Sequence, residues 1–302
     1  MMETENLREI IRIGRFRFLI AGFLLFVMGS LLPVYGGATF SLNRFLLGYL
    51  AVGTGHLSIH YSNEYFDRDS DRFGTPLSFS GGSGVLVCHP ELAETAHRLA
   101  ILLITLSLGA GLVYATLYPN SLSVFALILA GNLLGWYYSA PPLRFVERGW
   151  GEMSTALAIG WILPGMGYLV TAGTFDPFFA VFSVPIFCYG WYFILNVEIP
   201  DEGADRRAGK MTLIAKRGRT FGLQVIFISA LAATLWYMGL SSFSEGILFI
   251  AVLSLIPLAS AVRGYMKSGE TDGRFPLVQE NIMALVIFCF LVDGFLLAGV
   301  IP

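Results

Sequence analysis

The chain has 302 residues, of which 55% are apolar and only 13% charged. Soluble domains carry about 25% charged residues, so these figures rule out disorder and argue against an ordinary soluble enzyme. A net charge of −2 offers no basic footprint for nucleic acid. The three cysteines, Cys88, Cys188 and Cys289, form no CxxC pair, which leaves neither a disulfide framework nor a thiolate zinc site. A mean hydropathy of +0.69 points to an integral membrane protein with many spans.

The polar stretch 1–17 lacks the form of a signal peptide. A membrane-crossing helix needs about 20 mostly apolar residues. The candidates are roughly 18–35, 45–62, 99–117, 121–138, 153–171, 177–196, 221–239, 246–262 and 281–301. Alternation of the barrel kind is absent. The predicted fold is an all-α membrane protein of nine transmembrane helices, forming a single domain over 1–302.

Lys and Arg concentrate in cytoplasmic loops. With nine spans, 18 of the 19 Lys and Arg residues fall on the side of the N-terminus, and only Arg44 on the other. The N-terminus is therefore assigned to the cytoplasm of a multi-pass cell-membrane protein. Ten of the 21 acids sit in loops 2–3 and 6–7 on that same side, so the chemistry is expected to face the cytoplasm.

The first acidic cluster runs from His60 to Arg72, off the end of the second span. If the helix continues, Asn63, Asp67 and Asp71 lie within an arc of about 80°. Like charges at that spacing repel, so a positive partner is expected between them. The second cluster runs off the sixth span and holds Glu198, Asp201 and Asp205, with Asp201 and Asp205 again at i and i+4. Two matched sets, 63–71 and 198–205, four spans apart and on one side, suggest a weak internal repeat. Carboxylates without His or Cys at the main positions suit a hard cation, namely Mg²⁺. Interspersed Arg and Lys suit phosphate oxygens. Together the charges suggest a diphosphate site.

At these residues the sequence resembles the UbiA superfamily of intramembrane prenyltransferases. Its Asn/Asp-xxx-Asp-xxx-Asp motif is matched by Asn63, Asp67 and Asp71, and its Asp-xxx-Asp motif by Asp201 and Asp205. The segment Tyr138-Ser139-Ala-Pro141-Pro142-Leu-Arg144 resembles the family's Tyr-Ser-Pro-Pro-x-Lys stretch, and the resemblance covers the whole chain. It implies Mg²⁺-dependent transfer of an isoprenoid from a prenyl diphosphate to a lipophilic acceptor, of the quinone-precursor aromatic or glyceryl ether type. Asp67, Asp71, Asp201 and Asp205 would bind two Mg²⁺ ions, with Asn63 and Glu198 as auxiliary members. Arg72, Arg144 and Lys210 would contact diphosphate oxygens, with Tyr138 and Ser139 beside the substrate. Loops 2–3 and 6–7 would cap the site, and the glycines at 74, 81, 82 and 84 would permit that movement. The segment 73–84 departs from the usual family stretch and resembles a branch of naphthoate- or quinone-type prenyltransferases.

Other residues read more plainly. His56 and His60, at i and i+4, are too few for a histidine-rich di-iron site; His60 suits a polar supporting role and His56 packing. Asp293, inside the last span, is expected to make a structural hydrogen bond. Asn132 either touches substrate or bonds a neighbouring helix. The rival functions are a transporter, which would place charge near the midplane, and another diphosphate-using transferase such as a CDP-alcohol phosphotransferase, whose aspartates lie in one segment.

Overall fold

The computed structural model describes residues 2–76, 79, 81–118, 121–243, 245–267 and 274–299. Part of the 73–84 segment (77, 78 and 80) lies outside the described residues. All regular structure among the described residues is helical. The long helices, and the short ones beside the acidic motifs, are α1 (Met2–Ile13), α2 (Arg17–Tyr35), α3 (Leu42–Asp67), α4 (Ala93–Leu117) and α5 (Leu122–Ser139). They continue with α6 (Gly151–Ala172, with a π turn at Ala158–Ile162), α7 (Pro177–Glu198), α8 (Glu202–Ala208) and α9 (Leu213–Arg217). The last are α10 (Arg219–Leu240), α11 (Glu245–Leu253), α12 (Leu255–Met266) and α13 (Arg274–Ala298).

Eight spans among the described residues are long and apolar enough to cross a membrane: α2, α4, α5, α6, α7, α10, the α11–α12 pair and α13. The remaining expected span, 45–62, lies on α3. At 26 residues α3 has the length, but Ser58, Ser62 and Glu64 are polar and buried, and they lower its apolarity. The 1–17 stretch forms a helix, α1, too short and polar to be counted as a span.

Close backbone approach joins α2 and α6. A Cβ on Gly29 of α2 would overlap the Pro164 carbonyl of α6, and one on Gly167 of α6 would overlap the Phe26 carbonyl. Small residues at such crossings let dispersion contacts replace the hydrophobic drive that lipid removes. Polar clamps do the rest. Ser107 Oγ of α4 donates to the Ala51 carbonyl of α3 at 2.7 Å, and Asn132 Nδ2 of α5 donates to Ser107 Oγ at 2.9 Å. Asn132 thus bonds a neighbouring helix. Asn281 Nδ2 of α13 donates to Asn196 Oδ1 of α7 at 2.8 Å. Asp293 differs from expectation: both carboxylate oxygens are buried without a hydrogen-bond partner among the described residues.

Candidate active site

A cavity of about 370 Å³ runs into the bundle from the helix ends that carry the acidic motifs. Its polar end is lined by Asn63, Asp67, Asp71, Asp201, Asp205 and Lys210, and its deeper wall by Met28, Ile128, Met166, Ile186 and Phe288. The two clusters, 120 or more residues apart in sequence, therefore share one chamber.

Each ligand candidate has a definite support. Asp67 is the last residue of α3 and Ser139 the last of α5, and the Ser139 hydroxyl donates to Asp67 Oδ2 at 2.6 Å. The helix stops at Asp67, so Asp71 is not one more turn along its face; it arrives on a separate turn, Asp71–Phe73. Asp71 still lines the chamber. On the other side α7 ends at Glu198, a single turn Ile199–Asp201 follows, and α8 carries Asp205. Thr212 Oγ1 donates to Asp205 Oδ2 at 3.2 Å. The glycine loop lies across the site: Gly81 N–H donates to Asp201 Oδ2 at 2.7 Å. Arg207 Nη2 donates to the Phe73 carbonyl at 2.7 Å, tying the two loops together.

Lys210 is the positive partner the clusters required. Its Nζ lies 3.7 Å from Asp67 Oδ1, with both side chains nearly buried. Burial alone would lower the Lys210 pKa, but Asp67, Asp71, Asp205 and Asp201 outweigh it and hold the pKa above the usual lysine value. Asp71 is pushed up to about 7, first by burial; the charges of Asp67, Glu64 and Asp201 add to the rise and Lys210 opposes it.

Arg72 and Arg144 stand elsewhere. Arg72 points outward and pairs with Asp69 at 3.1 Å. Arg144 pairs with Glu147 at 3.1 Å on the outer surface. Neither lines the chamber, whereas Tyr138 does. Adjacency to a motif in sequence says nothing of the direction a long side chain takes once the helix has ended.

Three contributors escaped the sequence reading. Arg15, in the joint between α1 and α2, lines the polar end; its Nε is buried without a hydrogen-bond partner, and its guanidinium lies over the Phe18 ring at 4.5 Å. Its charge had the same appearance as the other N-terminal arginines. Glu64 accepts hydrogen bonds from the Ser83 N–H and, at 2.8 Å, from the Ser83 hydroxyl. Glu152, buried on α6, accepts from the Leu213 N–H. The His60 and His56 rings lie tilted to one another, with centroids 5.4 Å apart, along the chamber wall.

The donor set fits a hard cation by its chemistry. It is made of carboxylate and amide oxygens, and Asn63 Oδ1 and both Glu198 oxygens are buried without hydrogen-bond partners. No three of His, Cys, Asp or Glu among the described residues form a ready-made metal cluster. The four aspartates are spread around the chamber end rather than gathered on one point, as suits ions that also take phosphate oxygens and water.

The UbiA prenyltransferase family profile matches residues 22–275. The 1,4-dihydroxy-2-naphthoate octaprenyltransferase of Bacillus subtilis (strain 168) is 22% identical over 299 residues, covering 96% of this chain and 93% of its own. Among solved structures, a UbiA homologue of Archaeoglobus fulgidus bound to GPP and Mg²⁺ superposes with a TM-score of 0.69 at 19% identity, covering 95% of this chain and 99% of its own. An apo UbiA homologue of Aeropyrum pernix K1 gives 0.66 at 15% identity, covering 94% and 97%. A structure of digeranylgeranylglyceryl phosphate synthase gives 0.62 at 15%, covering 98% and 99%.

Proposed function

The chain belongs to the UbiA prenyltransferase family and is an integral multi-pass membrane enzyme, and we propose that it prenylates a lipophilic aromatic acceptor of the quinone-precursor type. The observation that carries this reading is the single chamber in which both acidic motifs and Lys210 face an apolar tunnel. The aromatic class is supported by the naphthoate enzyme, similar along nearly its whole length. The glyceryl ether class is the other reading, supported by the fold-level similarity to the glyceryl phosphate synthase.

Asp67, Asp71, Asp201 and Asp205 would hold two Mg²⁺ ions, with Asn63 and Glu198 as auxiliary oxygens. Bound Mg²⁺ supplies neutralisation of the charge that develops on the departing diphosphate. Lys210 and Arg15 offer N–H donors to the same oxygens. Ser139 fixes the rotamer of Asp67, and Tyr138 borders the reacting end. The C1–O bond of the prenyl diphosphate breaks with its electron pair going to the diphosphate, the acceptor ring carbon bonds to C1, and that carbon then gives up the proton it carried, which the released diphosphate can take. The apolar wall holds the isoprenoid tail and keeps out water, which would quench the cationic carbon. The loop carrying Gly81 and Gly82 closes the polar end.

The topology we infer has nine crossings, α3 being the ninth, with the N-terminus and the site on the cytoplasmic side. The distribution of Lys and Arg supports it.

The test uses purified protein in detergent with prenyl diphosphates of several lengths. Each is paired with a dihydroxynaphthoate, a hydroxybenzoate or a glyceryl phosphate. Mg²⁺-dependent diphosphate release with a prenylated aromatic product is expected. Product from the glyceryl phosphate alone would replace the acceptor class, and no release with any pair would overturn the reading.

A further inference from the structure

α1 is apolar on two faces: among the described residues one packs against the bundle and the other is largely exposed. On the inner face Ile13 is fully buried beside Tyr61, Val85 and Leu86, and the Tyr61 hydroxyl donates to the Ile10 carbonyl at 3.1 Å. On the outer face Leu7 is 60% exposed and Ile11 50%, Ile11 standing at the edge of an open pocket that Arg12 and Phe16 share with Pro76, Gly82 and Ser83. Leu7 and Ile11 are at i and i+4, about 120–160° around the helix from Ile13. Arg8 and Arg12 occupy the neighbouring sector, and both are exposed, Arg12 with one guanidinium nitrogen on Glu9 at 2.5 Å. Water is a poor surrounding for such a stripe. A protein partner would equally need a reason to seat beside two arginines.

The position of α1 decides between these surroundings. Only Gly14, Arg15 and Phe16 separate it from α2, which is a membrane span. The exposed Phe16, Ile20 and Phe23 continue an outward apolar stripe down α2. The outer face of α1 is thus continuous with the lipid-facing surface, at the boundary where headgroups lie. Amphipathic helices with arginines flanking an apolar stripe settle at that depth, and anionic lipids draw the cations.

We propose that α1 is a membrane-surface helix that seats Leu7 and Ile11 among the acyl-chain ends and Arg8 and Arg12 among anionic headgroups, and that this seat holds Arg15 in the chamber. The second half rests on the prenyl-diphosphate reading of the site. Arg15 is the joint between the two helices. Its N–H donates to the Arg12 carbonyl at 3.2 Å, and its carbonyl accepts from the Phe18 N–H at 3.0 Å. Its φ of +41° is a left-handed conformation that costs a non-glycine residue. Such a joint keeps its shape only while both flanking helices are held, so release of α1 from the surface frees the side chain to leave the site.

The experiment places the full-length protein in nanodiscs of phosphatidylcholine alone or with about 30% phosphatidylglycerol, a cation-attracting surface. Backbone amide exchange over residues 2–13 is expected to slow about fivefold in the anionic discs. Leu7→Ser/Ile11→Ser and, separately, Arg8→Gln should each abolish most of that difference. The initial rate of diphosphate release should rise with anionic lipid in the wild type and not in these variants, while their rates in detergent match the wild type. Equal exchange in the two lipids would overturn the surface helix, whatever the enzyme does. Slowed exchange with an unchanged rate would overturn the link to Arg15. Absence of release in every lipid would instead count against the catalytic reading and leave the exchange result standing.

Discussion

A methyl group on Gly82 would overlap Asp71 Oδ2 and come within 3.3 Å of Glu64 Oε1. Glycine is thus required there by the carboxylates it touches, not by its backbone angles, which lie outside the left-handed region. Gly81, by contrast, does take a positive φ of +67° to aim its N–H at Asp201. The Gly82→Ala variant separates packing from folding, because alanine is tolerated by the backbone and displaces only the two acids. Misplacing a catalytic group by about 1 Å can cost on the order of 100-fold in rate. We expect Gly82→Ala to lower Mg²⁺-dependent turnover by that order while thermal unfolding shifts by no more than a few degrees. Turnover at the wild-type rate would mean that Asp71 is not held by this contact. The same residue-scale view explains why Arg15 was invisible beforehand. Nothing in the order Arg12, Arg15, Arg17 says which arginine a left-handed joint will turn into the chamber.

At the scale of the element, α3 is where average composition and architecture part company. Its 26 residues rise about 39 Å, more than the roughly 30 Å of a hydrocarbon core. The outward positions Leu42, Leu46 and Leu50 are exposed, as lipid would require, while Ser58, Ser62 and Glu64 are buried within the bundle. An average over all faces counts those inward polar groups against the helix. Charge bookkeeping across loops does not, and it is what makes 45–62 a candidate span in the sequence. The end of α3 was less legible: the periodicity continued to Asp71, but the backbone turns after Asp67, and only tertiary contacts return Asp71 to the site. The α1 helix was missed for a related reason, since 12 residues of mixed polarity make no membrane signal. If α3 crosses, its two ends face opposite compartments. Cys88 is exposed beyond its C-terminal end and should react with an impermeant maleimide from the cytoplasmic side only. A cysteine placed at Ser41 in a Cys88→Ser background should react only from the other side. Labelling of both from one side would remove the ninth crossing and the proposed orientation with it.

For the molecule as a whole, the chamber is an electrostatic imbalance built into an otherwise apolar bundle. Six carboxylates line it, from Glu64, Asp67, Asp71, Glu198, Asp201 and Asp205, against two permanent cations, Arg15 and Lys210. Two helices, α3 and α7, and the loops that follow them are brought together by that arrangement, so repulsion there opposes the packing that the helix crossings favour. Its pH dependence has a definite sign. Asp71 is raised from 3.8 to about 7, so the folded protein binds this proton more tightly than the unfolded chain does. A group of that kind makes no loss below the unfolded value, and its unfavourable contribution grows as pH rises from about 4 through 7. Without divalent metal, the unfolding temperature should therefore fall between about pH 5 and pH 8. Mg²⁺ held by these carboxylates, as proposed above, would act in the opposite sense, because it binds their ionised form in the folded state and stabilises that state by mass action. Thermal scans in detergent, with EDTA or with Mg²⁺ in the millimolar range, should show a rise of several degrees at pH 8 and little at pH 5. The Asp71→Asn variant removes the titrating charge, so its EDTA curve should be flatter with pH and higher than wild type at pH 8. An unfolding temperature indifferent to Mg²⁺ at every pH, with Asp71→Asn no more stable than wild type, would mean that the carboxylates neither repel one another appreciably nor share a metal.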